Sequence, residues 1–120
     1  TGAGVLSLQL WKNAKSEEAV KGLDWIIQNQ ATEWSKVNVY EWYYHAQACF
    51  QATGVAGGTK YWRVWNQDFQ KIVLQAQNRD GHWPHGAHFH GDTAIYRTTM
   101  TILMLEVYYR YAPMGGGRAD

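Results

Sequence analysis

A short pattern of glutamine, glycine and tryptophan occurs twice and constrains the fold of this chain more than any other feature. The first copy has a basic and a small residue, then an aromatic residue and a glutamine, at Lys21, Gly22, Trp25 and Gln30. The second copy ends in glutamine, glycine and tryptophan, at Gln77, Gly81 and Trp83. Gln28 and Gln30 align with Gln75 and Gln77 at an offset of 47 residues. A period of this length indicates an array of supersecondary units.

The repeat glutamines are expected at the ends of helices. A glutamine there can bond an orphan carbonyl or the indole N–H of the next tryptophan, and would tie each helical hairpin to its neighbour. The alternative is that two amphipathic helices end in Gln-x-Gln by coincidence.

Apolar periodicity and capping residues predict five helices over most of the chain. The first helix is expected at about 1–10, and the second begins at Ser16. The third is expected at 38–53, ending at Gly54, and the fourth at 59–77. The fifth should begin at 92–93 and end before Pro113. Ser16 is a good N-cap. The prediction is one repeat segment over 1–113, with repeats around 16–34 and 59–83, followed by a flexible glycine-rich tail at 114–120.

These residues resemble the QW repeat of the prenyltransferase/squalene-oxidase superfamily. The run 96–113 and the aromatic residues around Trp42 and Trp62 are similar to the last repeats of uncharacterised planctomycete-type bacterial proteins in that superfamily. The resemblance implies an all-α fold, a partial α/α toroid of about five helices. The first, third and fifth are richer in small residues and are therefore expected on the inside. The resemblance implies no particular reaction.

Composition excludes several classes of partner. The 120 residues include 11 Lys plus Arg against 10 Asp plus Glu, so neither nucleic acid nor an anionic membrane is indicated. The longest apolar run, 101–105, is too short to span a bilayer. Cys49 is the single cysteine and leaves the compartment undetermined. Because the chain starts without Met, we expect a piece excised from a longer protein.

Enzymatic motifs of the superfamily are absent from the sequence. A cyclase needs an Asp-x-Asp-Asp element to protonate an alkene, whereas the four Asp residues within positions 24–92 are scattered. His45 and Cys49 are spaced to share a helix face and could bind zinc, although packing is the alternative. The thioester element of related toroids is also missing after Cys49.

A histidine-rich loop is the candidate metal site. Its possible ligands are His82, His85, His88, His90 and Asp92. Neutral imidazole suits zinc, nickel or copper, and adventitious uptake would explain binding better than catalysis would. The alternative is a solvated loop whose histidines cap helix ends. No cofactor is otherwise expected.

Acidic and aromatic residues on the presumed inner helices form a candidate ligand pocket. These residues are Glu41, Tyr44, His45 and Glu106. The alternative is that each glutamate bonds a neighbouring helix, with Arg97 or Arg110 as partner.

The sequence favours a non-catalytic repeat domain for protein–protein interaction or scaffolding in a larger bacterial protein. The alternative is the terminal segment of an isoprenoid enzyme, terpene cyclase-like or prenyltransferase-like, with its catalytic acids upstream. A protein partner or a homodimer that buries the first or fifth helix is expected. A compact monomer, in which Trp11 and the tail cover these helices, is the competing possibility.

Overall fold

The computed structural model describes residues 1–86 and 90–110. Over these residues the chain is helical and contains no β-strand, which confirms the predicted all-α class. The helices are α1 (Gly2–Leu10), α2 (Glu17–Gln28), α3 (Val39–Ala52), α4 (Thr59–Ala76), α5 (Ala94–Leu105) and α6 (Val107–Arg110), with a 3-10 turn at Trp34–Lys36. None of the described helices is long and apolar enough to cross a membrane. The predicted tail at 114–120 lies outside the described residues.

Local capping explains where three helices begin. The side chain of Ser16 accepts a hydrogen bond from the Ala19 amide, as predicted, and Asn38 and Thr93 cap α3 and α5 in the same way. Each cap satisfies an amide that has no partner inside its helix.

The predicted end of α3 is confirmed to within one residue, but the glycine assigned to it and the continuity of the fifth helix were predicted wrongly. α3 ends at Ala52, and the left-handed glycine of the following turn is Gly57 rather than Gly54, because a series of short backbone bonds continues the turn past Gly54. α5 does not continue to Pro113 but breaks at Glu106. The break accompanies the packing of α6 on α3, with Val107 fully buried.

The helices form two layers. α1, α3 and α5 lie side by side in one layer, and α2 and α4 form the other. α1 runs parallel to α3, since Gly2 lies against His45 while Gln9 donates to the carbonyl of Ala48 further along. α5 is parallel to α3 as well. Its first turn contacts Val37, just before α3, whereas Tyr108, after its end, contacts Trp62 of α4, which packs against Phe50 near the end of α3.

The first repeat glutamine joins the two hairpins, as the sequence predicted, through a backbone carbonyl. Gln30 Nε2 donates to the carbonyl of Trp65 in α4 at 3.0 Å. Its Oε1, which could accept from an indole N–H, has no hydrogen-bond partner among the described residues. Tyr61 of α4 donates to Asp24 of α2, so these two helices are also parallel. Gln77 donates within its own turn, to the carbonyl of Gly81.

The other repeat residues have structural positions. Lys21 is exposed and pairs with Glu17, and Trp25 is partly exposed with its edge against His45. Gly81 adopts a positive φ of 93° that favours glycine. Trp83 is buried, and its indole donates to the carbonyl of Val73 at 2.9 Å.

Aromatic side chains fill the interface between the layers. Trp65 and Phe69 of α4 are fully buried and stacked, with ring centroids 4.6 Å apart. Trp42 of α3 packs edge-on against Trp65. This buried apolar surface is the main source of stability for helices that would be marginal alone.

Gly22 permits the close approach of α2 to α1, which gives a sharp test of the packing. A Cβ at this position would overlap Cγ2 of the buried Val5. We expect Gly22→Ala to lower the free energy of unfolding by about 1–3 kcal/mol in urea denaturation. The matched control is Gly4→Ala, where a Cβ meets open space; this change should raise stability by roughly 0.5–1 kcal/mol. Equal effects at both positions would contradict the packing.

Candidate functional site

The guanidinium of Arg97 is the most completely buried charge in the described part of the chain. Arg97 lies in α5 and its side chain is 0% exposed. Its Nε donates to Oδ1 of Asp92 at 2.7 Å and its Nη2 donates to Oδ2 at 2.9 Å. This bidentate pairing is the strongest geometry that arginine and a carboxylate can adopt.

The same guanidinium holds the segment that connects α2 to α3. Its Nη2 donates to the carbonyl of Val37 at 2.7 Å and its Nη1 to the carbonyl of Trp34 at 2.9 Å. The group also lies over the Trp34 ring, 4.8 Å from the centroid. Gly86 lies so close that a Cβ there would overlap the guanidinium. Arg97 therefore joins two connecting segments to α5.

This arrangement changes the interpretation of two sequence candidates. Asp92, predicted as a metal ligand, is buried and bound to Arg97. Glu41, predicted as a possible partner of Arg97, instead approaches His45 on its own helix. The carboxylate that binds Arg97 comes from a residue only five positions earlier in the chain. The turn capped by Thr93 places that residue next to the guanidinium.

The described residues of the histidine-rich loop do not lie together as one ligand set. His82 Nδ1 lies 2.7 Å from Asp80 and its Nε2 lies 2.8 Å from Asn78, so both nitrogens have neighbours in the turn. His85 and His90 are exposed, and His88 lies outside the described residues. Among residues 1–86 and 90–110, no group of three His, Cys, Asp or Glu side chains is placed to hold a metal ion.

The predicted ligand residues are divided between two places. Glu41 and Tyr44 line a shallow cleft of about 280 Å³ at the start of α3, together with Tyr40. His45 lies beneath it and is 3% exposed, with its Nε2 3.7 Å from Oε1 of Glu41. Glu106 follows the end of α5. Because α3 and α5 are parallel, Glu106 is at the opposite end of the layer.

His45 and Cys49 are uncharged at neutral pH. Burial and, to a smaller extent, the positive terminal amine lower the pKa of His45 to about 4. Burial also raises the pKa of the Cys49 thiol. A protonated thiol is a poor zinc ligand and a poor nucleophile, so the arrangement favours packing for both residues.

Two edges of the α1–α3–α5 layer expose apolar side chains. At the α1 edge, Leu10 is more than half exposed and Trp11 is 81% exposed. At the α5 edge, Ile95 is 81% exposed and Tyr109 is 87% exposed, with Ile102 between them. Trp11 does not fold back over α1, contrary to the compact-monomer alternative. The C-terminal tail, which that alternative also places over the helices, lies outside the described residues.

No protein-family model, curated protein or solved structure matches the chain. Sequence reasoning missed the Arg97–Asp92 pair. The signal was that Arg97 falls on the same helix face as Thr101 and Met104, at spacings of four and seven, where a charge needs a buried partner.

Proposed function

We propose that this chain is a non-catalytic helical-repeat segment, an arc of an α/α toroid, that associates with protein partners through the edges of its α1–α3–α5 layer. The parallel order of α1, α3 and α5, with α2 and α4 packed on one side, supports a repeating stack of hairpins. In such a stack each hairpin covers the apolar face of the next.

The character of α1 carries the proposal. Its sequence is apolar on nearly every side, with Ser7 and Gln9 as the polar exceptions. A helix of this kind is normally surrounded by other elements. Here α2 and α3 cover one side, while Leu10 and Trp11 remain exposed. The free side is thus suited to a further apolar surface.

The α5 edge supports the same conclusion. Its exposed residues recur at helical spacing through α5 and α6, at Ile95, Thr99, Ile102 and Tyr109. Exposed apolar stripes of this kind usually mark an interface. A second copy of the chain is the simplest partner, because it supplies the same surface by two-fold symmetry.

Self-association is the test of this proposal. We expect multi-angle light scattering at micromolar concentration to give about twice the monomer mass, since an edge of standard size would cover about 800 Å² per partner. The variant Ile95→Lys/Ile102→Lys places two charges on the α5 edge, and Leu10→Lys/Trp11→Lys does the same at the α1 edge. One of these variants should give the monomer mass.

Val64→Lys/Leu74→Lys is the matched control, because it also replaces two exposed aliphatic residues but on α4, away from both edges. It should retain the wild-type mass. A monomer mass for the unmodified chain, or equal loss of association in all three variants, would contradict the proposal. The isoprenoid-enzyme alternative stays a prediction, which the sequence of any upstream repeats would test.

A further inference from the structure

A second candidate surface lies at the opposite end of the hairpins from Glu41, between the turns that follow α1 and α3. It is a cleft of about 520 Å³, within the size range of small-molecule sites. Leu10, Val55 and Ala56 supply apolar walls, and Lys12 and Lys15 are its charged lining residues. The lining of the cleft contains no acidic side chain.

Lys12 has a backbone conformation that ordinarily favours glycine. Its φ is 63°, and it is the non-glycine residue with positive φ in the part of the chain that the structure describes. The turn is closed by bonds from Lys12 to the carbonyl of Gln9 and from Asn13 to that of Leu8. A glycine would serve this helix-ending turn with less strain. A strained residue at a cleft is a reason to look for a role of its side chain.

Two further features extend the cleft. An adjoining cavity of about 170 Å³ shares Lys15 and Val55 with it and continues to Val20, Leu23 and Lys60. At the other side, Gln9 is 5% exposed and donates to the carbonyl of Ala48. Its buried Oε1 has no hydrogen-bond partner among the described residues. The two spaces are lined mainly by apolar side chains, and their charged lining residues, Lys12, Lys15 and Lys60, are all positive.

We propose that this cleft binds an amphiphilic carboxylate. The head group pairs with the ammonium groups of Lys12 and Lys15, and the apolar chain lies along Leu10, Val55 and Ala56. Neither a cation nor an uncharged chain of the same length would match the charge of these walls. This site is separate from the α5 edge but shares Leu10 with the α1 edge, so ligand binding is tested on the monomer.

The test is an NMR titration of the full chain with octanoate, octylammonium and octan-1-ol, at a protein concentration where light scattering gives the monomer. We expect octanoate to shift the amide resonances of Ala14, Val55 and Ala56. It should bind about tenfold more tightly than octylammonium, because two lysines each contribute a modest ion pair. Equal binding of the three probes, shifts confined to other surfaces, or no shifts at all would overturn the proposal.

The variant Lys12→Gly distinguishes the effect of the lysine charge on binding from an effect on folding. It removes the ammonium while favouring the local backbone, so the melting temperature should not fall. Octanoate affinity should fall roughly threefold and that of octan-1-ol should stay the same. Lys12→Asn should have the same effects as Lys12→Gly, because asparagine also tolerates this backbone conformation. The control is Lys36→Met, which removes a lysine on the 3-10 turn that pairs with Glu33. It should leave the affinity for octanoate unchanged. Unchanged octanoate binding in both Lys12 variants would refute the role of this residue.

Discussion

Replacing Arg97 with methionine is expected to lower the free energy of unfolding by about 3–5 kcal/mol. The change removes both bonds of the arginine from the buried carboxylate of Asp92. It also removes the donors to the carbonyls of Val37 and Trp34. Since a domain of this size is stable by only about 5–15 kcal/mol, the loss is a large share of the total. Urea denaturation followed by circular dichroism measures it.

Two further variants distinguish the buried ion pair from a general effect of losing arginine. Arg63→Met removes an exposed arginine from α4 and should change stability by no more than about 0.5 kcal/mol. Arg97→Met/Asp92→Leu removes both charges and should be more stable than Arg97→Met alone, because no uncompensated charge stays buried. A loss below about 1 kcal/mol in Arg97→Met would show that the pair is hydrated or open in solution.

The helices could be predicted from the sequence because their signals are local. Ser16 and Thr93 each stand just before an apolar periodic segment, and each caps the helix that follows. The break at Glu106 had no such signal. It accompanies the burial of Val107 against α3, a contact between residues far apart in the chain.

The candidate sites were harder to predict because they depend on how the helices are arranged. Glu41 and Glu106 both belong to the α1–α3–α5 layer, which suggested one pocket. The parallel direction of α3 and α5 puts them at opposite ends. The acceptors of Arg97 at Trp34 and Val37 are 63 and 60 residues away in sequence. No periodicity reports a contact between a side chain and a distant backbone carbonyl.

The sequence also contained no sign that the lysines after α1 line a cleft. Lys12 and Lys15 fit an ordinary solvated connection between α1 and α2. The cleft beside Lys12 exists only once the turns after α1 and α3 are adjacent.

Acidification is expected to reduce stability through His45. Its pKa is 6.5 in the unfolded chain and about 4 in the folded chain, first because burial disfavours the charged ring and second because of the positive terminal amine. Glu41 is nearby but its side chain is 42% exposed, so water screens its opposing effect. The unfolded state therefore binds more protons between these two pH values. Stability from this residue is complete above pH 6.5 and declines as the pH falls towards 4.

The size of this effect is about 3 kcal/mol, because each unit of pKa difference corresponds to about 1.4 kcal/mol. Urea denaturation at a series of pH values should show the loss in the wild-type chain. His45→Leu has no group that titrates there, so its curve should be flatter, whereas His85→Leu, at an exposed histidine, should follow the wild type. The difference between the His45→Leu and wild-type curves removes the contribution of the carboxylates. A difference that does not change with pH would mean that the folded protein accepts a proton on His45 as readily as the unfolded chain does.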